Sequence, residues 1–411
     1  MDNKFFPIIL GSDENAYATA RCFYEEYGIK PLCLCSKPLI ATQKSKILTL
    51  KAYENFDVPE VFVSSLLEEL KSKENEGMLL VIPCADYYTE LMVKNYHLFE
   101  GRIANKFVPE QLFDKFSTKD SFYKLCEEQG LYYPPTYICE YEKRLELVND
   151  LPFEFPIVVK PENSNATEYL KASFEGKKKA YFFKNADEYI RVAEEMNKCG
   201  YKGKLIVQKM IKGGDTTSFV VNSYSSKDGK VRFMCIGRIL LEEYSPSMLG
   251  NYAAIMSVNM PELYKKVEEF LNSVGYVGFS NIDIKYDEEK GEYCFFELNP
   301  RHGRSSYYVR GAGYNLMKEL TDDVVFDTQR DEVTYVTNEA IWASVPTKTL
   351  KKYITDPEMK KDALALAKKK GITRTLKNPS EKNLIRYIKI KKIIANKARS
   401  FKLYFFDKNK M

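Results

Sequence analysis

Strand-length apolar runs alternate with helix-length amphipathic stretches through the first hundred residues, and nothing else in the chain restricts its fold so strongly. Phe6–Leu10 is a continuous apolar run broken by Gly11-Ser12-Asp13, and a helical pattern runs from Glu14 to Tyr27 until Gly28 stops it. Pro31–Ser36 and Met78–Ile82 read as further strands, with Leu66–Leu70 in one helix and Tyr87–Leu98 forming another. Strands and helices taken in turn predict a parallel, doubly wound sheet. The first strand-to-helix turn of such a sheet is a common ligand site. G-x-G-x-x-G is absent, however, and turn chemistry with an N-cap accounts for the same three residues.

The pattern then changes. Ser117-Thr118-Lys119-Asp120 opens a helix that reaches Gln129, and Pro134-Pro135 forces extended chain. Phe155–Lys160 is a strand, 163–176 reads as a polar loop, and Asp187–Asn197 is a helix. Leu205–Gln208, Ser218–Tyr224 and Val231–Leu241 read as antiparallel strands. Phe279–Tyr286 and Tyr293–Leu298 form a hairpin across Asp287–Gly291, after a helix over Met260–Val274. The fold class is therefore α/β, turning to α+β in the C-terminal half.

Composition excludes several classes. Of 411 residues, 45% are hydrophobic and 29% charged, which is ordinary for a globular chain. No apolar run approaches the ~20 residues of a membrane span. The Met-Asp-Asn-Lys start is no signal peptide, so the nine cysteines are expected as free thiols in a cytoplasmic protein. With only two histidines, His97 and His302, a zinc site is not expected. Charge is uneven. Residues 351–411 carry 19 Lys/Arg against 5 Asp/Glu, a net +14, which leaves −9 for the first 350 residues of a +5 chain. Apolar residues interleaved with those lysines predict docked helix. The basic tail suits a solvated face, a peripheral contact with anionic membrane, or an anionic substrate. The acidic body argues against nucleic acid.

The strongest chemical signal is Phe295-Phe296-Glu297-Leu298-Asn299-Pro300-Arg301. Glu297 and Asn299 share a strand face, and Asp283 alternates with Ile282 and Ile284 on the strand across the hairpin. Two carboxylates and an amide oxygen suit a hard divalent cation, which magnesium sites usually share with nucleotide phosphates. Lys160, closing an apolar strand, and Lys119, before a helix, are candidate phosphate contacts. Each alone also reads as a surface lysine. Arg301 and Arg304 flank His302-Gly303 and could clamp a phosphate or carboxylate. Gln208-Lys209-Met210-Ile211 leads into an extended hinge that could bind adenine edges, and Asp215 could accept from a ribose hydroxyl.

In their order these pieces resemble the ATP-grasp superfamily, whose metal signature is Glu-Leu-Asn-Pro-Arg. The segments FFPIILGSDENAYATARCFYEEYGIKP, GKVRFMCIGRILLEEYSPSMLGNYAAI and VGFSNIDIKYD…FFELNPRHGRSSYYVRGAGYNL are similar to the D-aspartate ligase family, over roughly residues 4–330. The resemblance implies an ATP-grasp fold with four parts. These are a Rossmann-like domain at 1–110, a small subdomain at 111–203, a metal-bearing subdomain at 204–330 and a basic extension at 331–411. The nucleotide cleft would lie between the second and third. It implies a carboxylate–amine ligase of cell-wall synthesis that joins the β-carboxyl of D-aspartate to a lysine amine of a peptidoglycan precursor, nucleotide- or lipid-linked, through an acyl phosphate. A ligase for another amino acid or peptide, or a nucleotide-binding module without catalysis, are the alternatives. ATP and two magnesium ions, or manganese, would be held by Lys119, Lys160, Gln208, Lys209, Ile211 and Asp215 and by Asp283, Glu297 and Asn299. Arg301 or Arg304 would stabilise the oxyanion or hold the acid. His302 would act as base or orient the strand end. Gly11, Ser12 and Asp13, with Arg310 and Gly311, would line the amino-acid pocket. One departure from the superfamily is that 163–175 contains no glycine to cover phosphates, which leaves Ser164, Asn165, Thr167 or Lys177–Lys179 to substitute.

Overall fold

The computed structural model describes residues 4–162 and 167–408; Ser164, Asn165 and the side chain of Thr167 lie outside the described part. Four strands, β1 (Phe5–Leu10), β2 (Leu32–Cys35), β3 (Thr49–Ala52) and β4 (Met78–Pro83), form a wholly parallel sheet in the order β3-β2-β1-β4. Helix α1 (Glu14–Tyr27) covers one face, packing Tyr17 and Phe23 on Ile9, Cys33 and Leu80. Helices α2 (Pro59–Ser72) and α3 (Asp86–Lys94) cover the other, packing Phe62, Leu66 and Tyr88 on Ile8, Leu34 and Val81. Burial on both faces is why β1 and β4 read as unbroken apolar runs. The edge strand β3 is largely exposed and lacks such a run, so the sequence did not announce it. The chain leaves β1 toward β2 and later reaches β4 on the opposite side. Gly11–Asp13 therefore sits at the crevice where a doubly wound sheet binds ligands. Asp13 caps α1 by accepting from the N–H groups of Asn15 (3.0 Å) and Ala16 (3.1 Å).

Helices α4 (Glu110–Ser117) and α5 (Lys119–Glu128) lead to a second, antiparallel sheet. It contains β5 (Thr136–Cys139), β6 (Ile157–Pro161), β7 (Tyr181–Phe183) and β8 (Leu205–Lys209), in the order β5-β8-β6-β7. The short helices α6 (Leu147–Asp150) and α7 (Thr167–Lys171) lie between strands, and α8 (Ala186–Lys198) packs Tyr189, Ala193 and Met196 on Val159, Tyr181 and Val207. Alternation leaves Val158, Lys160, Phe182 and Gln208 on the opposite face. Helix α7 corrects the reading of 163–176 as a loop throughout. A helix that short has no autonomous stability; Tyr169 anchors it by hydrogen bonding to Tyr181 Oη at 2.8 Å.

The third sheet has seven strands. Six follow the order β13-β12-β9-β10-β11-β15, and β14 pairs with β10. They are β9 (Ser218–Ser225), β10 (Val231–Glu242), β11 (Tyr252–Val258), β12 (Gly278–Asp287), β13 (Glu292–Asn299), β14 (Thr334–Tyr335) and β15 (Ile341–Ala343). Helix α9 (Pro261–Ser273) packs on the β10–β12 side through Leu263, Val267 and Phe270, and α10 (Tyr308–Gly311) and α11 (Leu316–Val324) lie between this sheet and α1. The basic tail folds as α12 (Thr347–Tyr353), α13 (Pro357–Lys370) and α14 (Leu384–Tyr404). It is docked, but only partly through the interleaved apolar residues expected to do it: Ile390 is buried, and Leu350, Ala363 and Phe401 are buried with Leu240 and Ile341, whereas Leu384, Ile385, Tyr387 and Ile388 stay exposed because the first turns of α14 turn them to the surface. Among the described residues no helix is long and apolar enough to cross a membrane. All nine cysteines are free, and all but Cys199 are buried.

Candidate active site

The hairpin β12–β13 sets the site. Asp283 stands directly opposite Glu297, and Asn281 opposite Asn299, so one sheet face carries both carboxylates and both amides. The register shifts after Asp283, where Ile284 pairs with Phe295; the bulge falls at Phe296 and re-aims the strand end. Tyr252 Oη donates to Asp283 Oδ1 at 2.7 Å. Burial and then the facing Glu297 push the Asp283 carboxyl up to about 7. Glu297 goes the other way, to about 2, because Lys119 Nζ lies 2.8 Å from its Oε2. Asn299 Oδ1 accepts from Arg301 Nη2 at 3.3 Å. The donor set fits a hard divalent cation. Its oxygens are satisfied by a phenol, an ammonium and a guanidinium, donors that an ion would replace or share. Among the described residues no group of three His, Cys, Asp or Glu is close enough for a metal; here an amide supplies the third oxygen, so further ligands would have to come from a nucleotide.

Lys160 faces this cluster from the four-stranded sheet. Burial and then the charge of Lys119 pull its amine down to about 8. Lys119 feels the same desolvation, and the Glu297 carboxylate outweighs it, so its amine stays above the ordinary lysine range. Lys285, two residues past Asp283 on the same face of β12, was missed in the sequence although the same alternation marks it. It donates to Gly213 O at 2.8 Å, and burial, then Lys408, brings it to about 8.

The hinge is tighter than its sequence suggests. The N–H groups of Lys209 and Met210 already donate to Pro135 O (3.0 Å) and Pro156 O (3.1 Å). The Gln208 side chain is buried and donates to Tyr123 Oη at 2.8 Å and Thr136 Oγ1 at 3.1 Å. Lys209 Nζ points toward Glu289 at 3.8 Å, and Ile211 is buried. Asp215 is fully engaged: it accepts from Glu242 N–H and Tyr244 Oη, both at 2.9 Å, and pairs with Lys408 Nζ at 3.0 Å. Lys408 also pairs with Glu242 at 2.7 Å, and Phe406 beside it packs between Phe182 and Tyr244. No local signal tied Asp215 to a lysine so far along the chain.

At the other end of the cleft the arginines divide. Arg301 Nε donates to Asp86 Oδ1 at 2.6 Å. The Arg304 guanidinium contacts Met248 Sδ at 3.7 Å and has no carboxylate at ion-pair distance among the described residues. Both act electrostatically on Asp13, whose carboxyl burial raises against the pull of the Ala16 N–H and Arg304. The β1–α1 turn and the arginines therefore share one region. Ser12 Oγ instead donates to Lys37 O at 2.7 Å. Gly11 has φ +140°, and a Cβ there would stand 3.3 Å from that of Cys84. Glu243, just past the end of β10, and Lys397 on the tail helix α14, 3.3 Å apart, complete this region.

Two expectations are corrected. His302 is 1% exposed, with Nε2 2.8 Å from Thr19 Oγ1 and its ring against Phe279. Burial pulls its pKa down to about 3. It packs the strand end onto α1 and does not stand in the cleft as a base. Arg310 Nε donates to Glu25 Oε2 at 3.0 Å, and a Cβ on Gly311 would meet Thr373. Both face the far end of α1 and the tail, because α10 turns them away from the hairpin.

No family model matches the chain. The D-aspartate ligase of Enterococcus faecium (strain Aus0004) is 36% identical over 415 aligned residues, covering 99% of this chain and 98% of that protein. Among solved structures, the L-amino acid ligase from Bacillus licheniformis superposes with a TM-score of 0.55 at 14% identity, over 78% of this chain and 74% of that one. The biotin carboxylase domain of the Hydrogenobacter thermophilus 2-oxoglutarate carboxylase, in complex with MgADP, ADP and bicarbonate, gives 0.59 at 15% identity, over 80% and 72%. The fold is ATP-grasp.

Proposed function

The chain belongs to the D-aspartate ligase family of carbon–nitrogen ligases, and from that premise we propose that it joins the β-carboxyl of D-aspartate to a lysine side-chain amine of a peptidoglycan precursor. The observation that carries the reading is the pairing of Asp283 with Glu297 below Lys119 and Lys160. Lys119 at the start of α5 and Lys160 on β6, set against two carboxylates on the facing sheet, suit a triphosphate and its cations. The nucleotide would lie between segments 111–203 and 204–330, against the 209–211 hinge; Asp215, held by Tyr244 and Lys408, is not free to take the ribose. The Rossmann-like segment 1–110 would bring the β1–α1 turn to the acid, and the extension 331–411 would supply Lys397 and Lys408.

Asp283, Glu297 and Asn299 would hold magnesium, two ions or manganese in their place, which when bound offsets phosphate charge. Lys119 and Lys160 neutralise the transferring phosphoryl group. The aspartate carboxylate attacks the γ-phosphorus, ADP leaves, and an acyl phosphate forms. The lysine amine then attacks the acyl carbon, phosphate departs, and the nitrogen gives up a proton. Positioning and charge do this work, with no nucleophile from the protein. Arg304, with no carboxylate at ion-pair distance among the described residues, holds the substrate carboxylate or the oxyanion, and Arg301 stiffens the Asn299 end. The partners are a free amino acid and a nucleotide- or lipid-linked peptide in the cytoplasm, and not nucleic acid.

The test is phosphate release from MgATP across D- and L-amino acids, with hydroxylamine trapping the acyl phosphate. A hydroxamate with D-aspartate alone, lost in Asn299→Ala, is the expected result. Hydroxamate from a different acid would reassign the substrate. No release even with a lysine-bearing precursor present would sink the proposal.

A further inference from the structure

Two segments far apart in the chain are pinned together, and each exposes large apolar side chains. Leu39 and Ile40 lie on the loop after β2, and Leu384, Ile385, Tyr387 and Ile388 lie on the first turns of α14; all six are 38–72% exposed. Arg386, buried between Ile385 and Tyr387, donates from Nη1 to the carbonyls of Ile40 (3.3 Å) and Gln43 (3.0 Å). Lys389 Nζ reaches Gln43 Oε1 at 3.2 Å. Glu381 accepts from Ser45 Oγ at 2.5 Å and Lys46 N–H at 2.9 Å, with Arg386 Nε at 3.5 Å. The face is therefore built into the fold rather than a frayed helix end.

Its charge selects what covers it. Segment 36–46 holds Lys37, Lys44 and Lys46 and no acid; α14 holds seven Lys or Arg and no acid. Lys37, Lys44, Lys46, Lys382, Lys391 and Lys392 are exposed around the apolar side chains. A second copy meeting this face across a two-fold axis would set lysine against lysine without an acidic complement. A surface that accepts aliphatic and aromatic side chains while presenting dense negative charge is an anionic bilayer.

We propose that the 36–46 loop and the start of α14 form one docking face for an anionic lipid membrane. The inference rests on this geometry and charge, independently of the ligase reading. It has a consequence for the cleft. The loop is tied to the β1–α1 turn through Ser12 Oγ to Lys37 O (2.7 Å) and Thr42 Oγ1 to Ser12 O (2.8 Å). Docking would hold that turn beside the headgroups.

The test is flotation of the full chain with vesicles of phosphatidylcholine alone or mixed with phosphatidylglycerol. Binding to the anionic vesicles alone is expected, falling steeply as salt is raised from about 0.1 to about 0.5 M. Leu39→Glu/Ile40→Glu and Ile385→Glu/Ile388→Glu should each cut binding about tenfold or more, with the urea midpoint unchanged because the side chains are exposed. No flotation with anionic vesicles overturns the proposal. Flotation that either pair leaves untouched overturns the composite face. A dimer in sedimentation equilibrium that both pairs convert to monomer would make the face a contact between copies, and overturns the membrane.

Discussion

Lys160 should impose an alkaline limit on nucleotide binding. Its amine is held at about 8 by burial and by Lys119, so it is half charged at that pH. At pH 9 only about one molecule in eleven carries the ammonium, and at pH 7 about ten in eleven do. A phosphate beside it favours the charged form, so binding couples to proton uptake. The dissociation constant for a non-hydrolysable ATP analogue with magnesium should therefore weaken about tenfold between pH 7 and pH 9. Isothermal titration calorimetry in buffers of different ionisation enthalpy would show the accompanying proton uptake. Lys160→Gln removes the titrating group. It should bind about tenfold or more weakly at pH 7, the loss expected for a charge-assisted hydrogen bond, and lose the alkaline limb. An unaltered tenfold limb in Lys160→Gln would refute the assignment, and Lys285→Gln would then test the other amine held at about 8. A flat profile in the native chain would refute the argument that burial holds Lys160 near neutrality.

Asp283→Asn and Asn299→Ala should each lower magnesium-dependent phosphate release by about two orders of magnitude without shifting the urea midpoint, because each keeps the hairpin while the first removes a ligand's negative charge and the second removes a ligand. Lys408→Met should lower stability by about 3 kcal/mol in urea unfolding, since it leaves buried Asp215 and the partly buried Glu242 without their cation. Gly11→Ala should destabilise by about 2 kcal/mol in the same assay, because φ +140° strains any side chain there. His302→Gln should leave the pH–rate profile between about 5 and 8 unmoved: with its pKa drawn down to about 3, His302 stays neutral throughout that range.

What could be read from the sequence was what alternation decides. Period two along β12 and β13 placed Asp283, Glu297 and Asn299 on one face, and it would equally have marked Lys285. Apolar runs buried on both faces announced β1 and β4, while the edge strand β3 carried no such mark. Residues whose roles depend on distant chain were illegible. Arg310 sits in a glycine-rich string that looks like an anion site until Glu25 takes its guanidinium. Asp215 reads as a ribose acceptor until the tail brings Lys408 to it. His302 follows the metal signature directly, yet α1 buries it, and only Thr19 and Phe279 reveal that.

Phe406 has a mechanical consequence. A four-stranded sheet joined to its neighbour along one edge swings like a flap. With Phe406 seated between Phe182 of the small sheet and Tyr244, two residues past β10 of the large one, the tail adds a second point of attachment. Two mounts leave a plate one easy motion, a rocking about the line that joins them. The small sheet would then open by tilting rather than lifting, and spent nucleotide would slip out along the pivot line instead of straight up from the cleft.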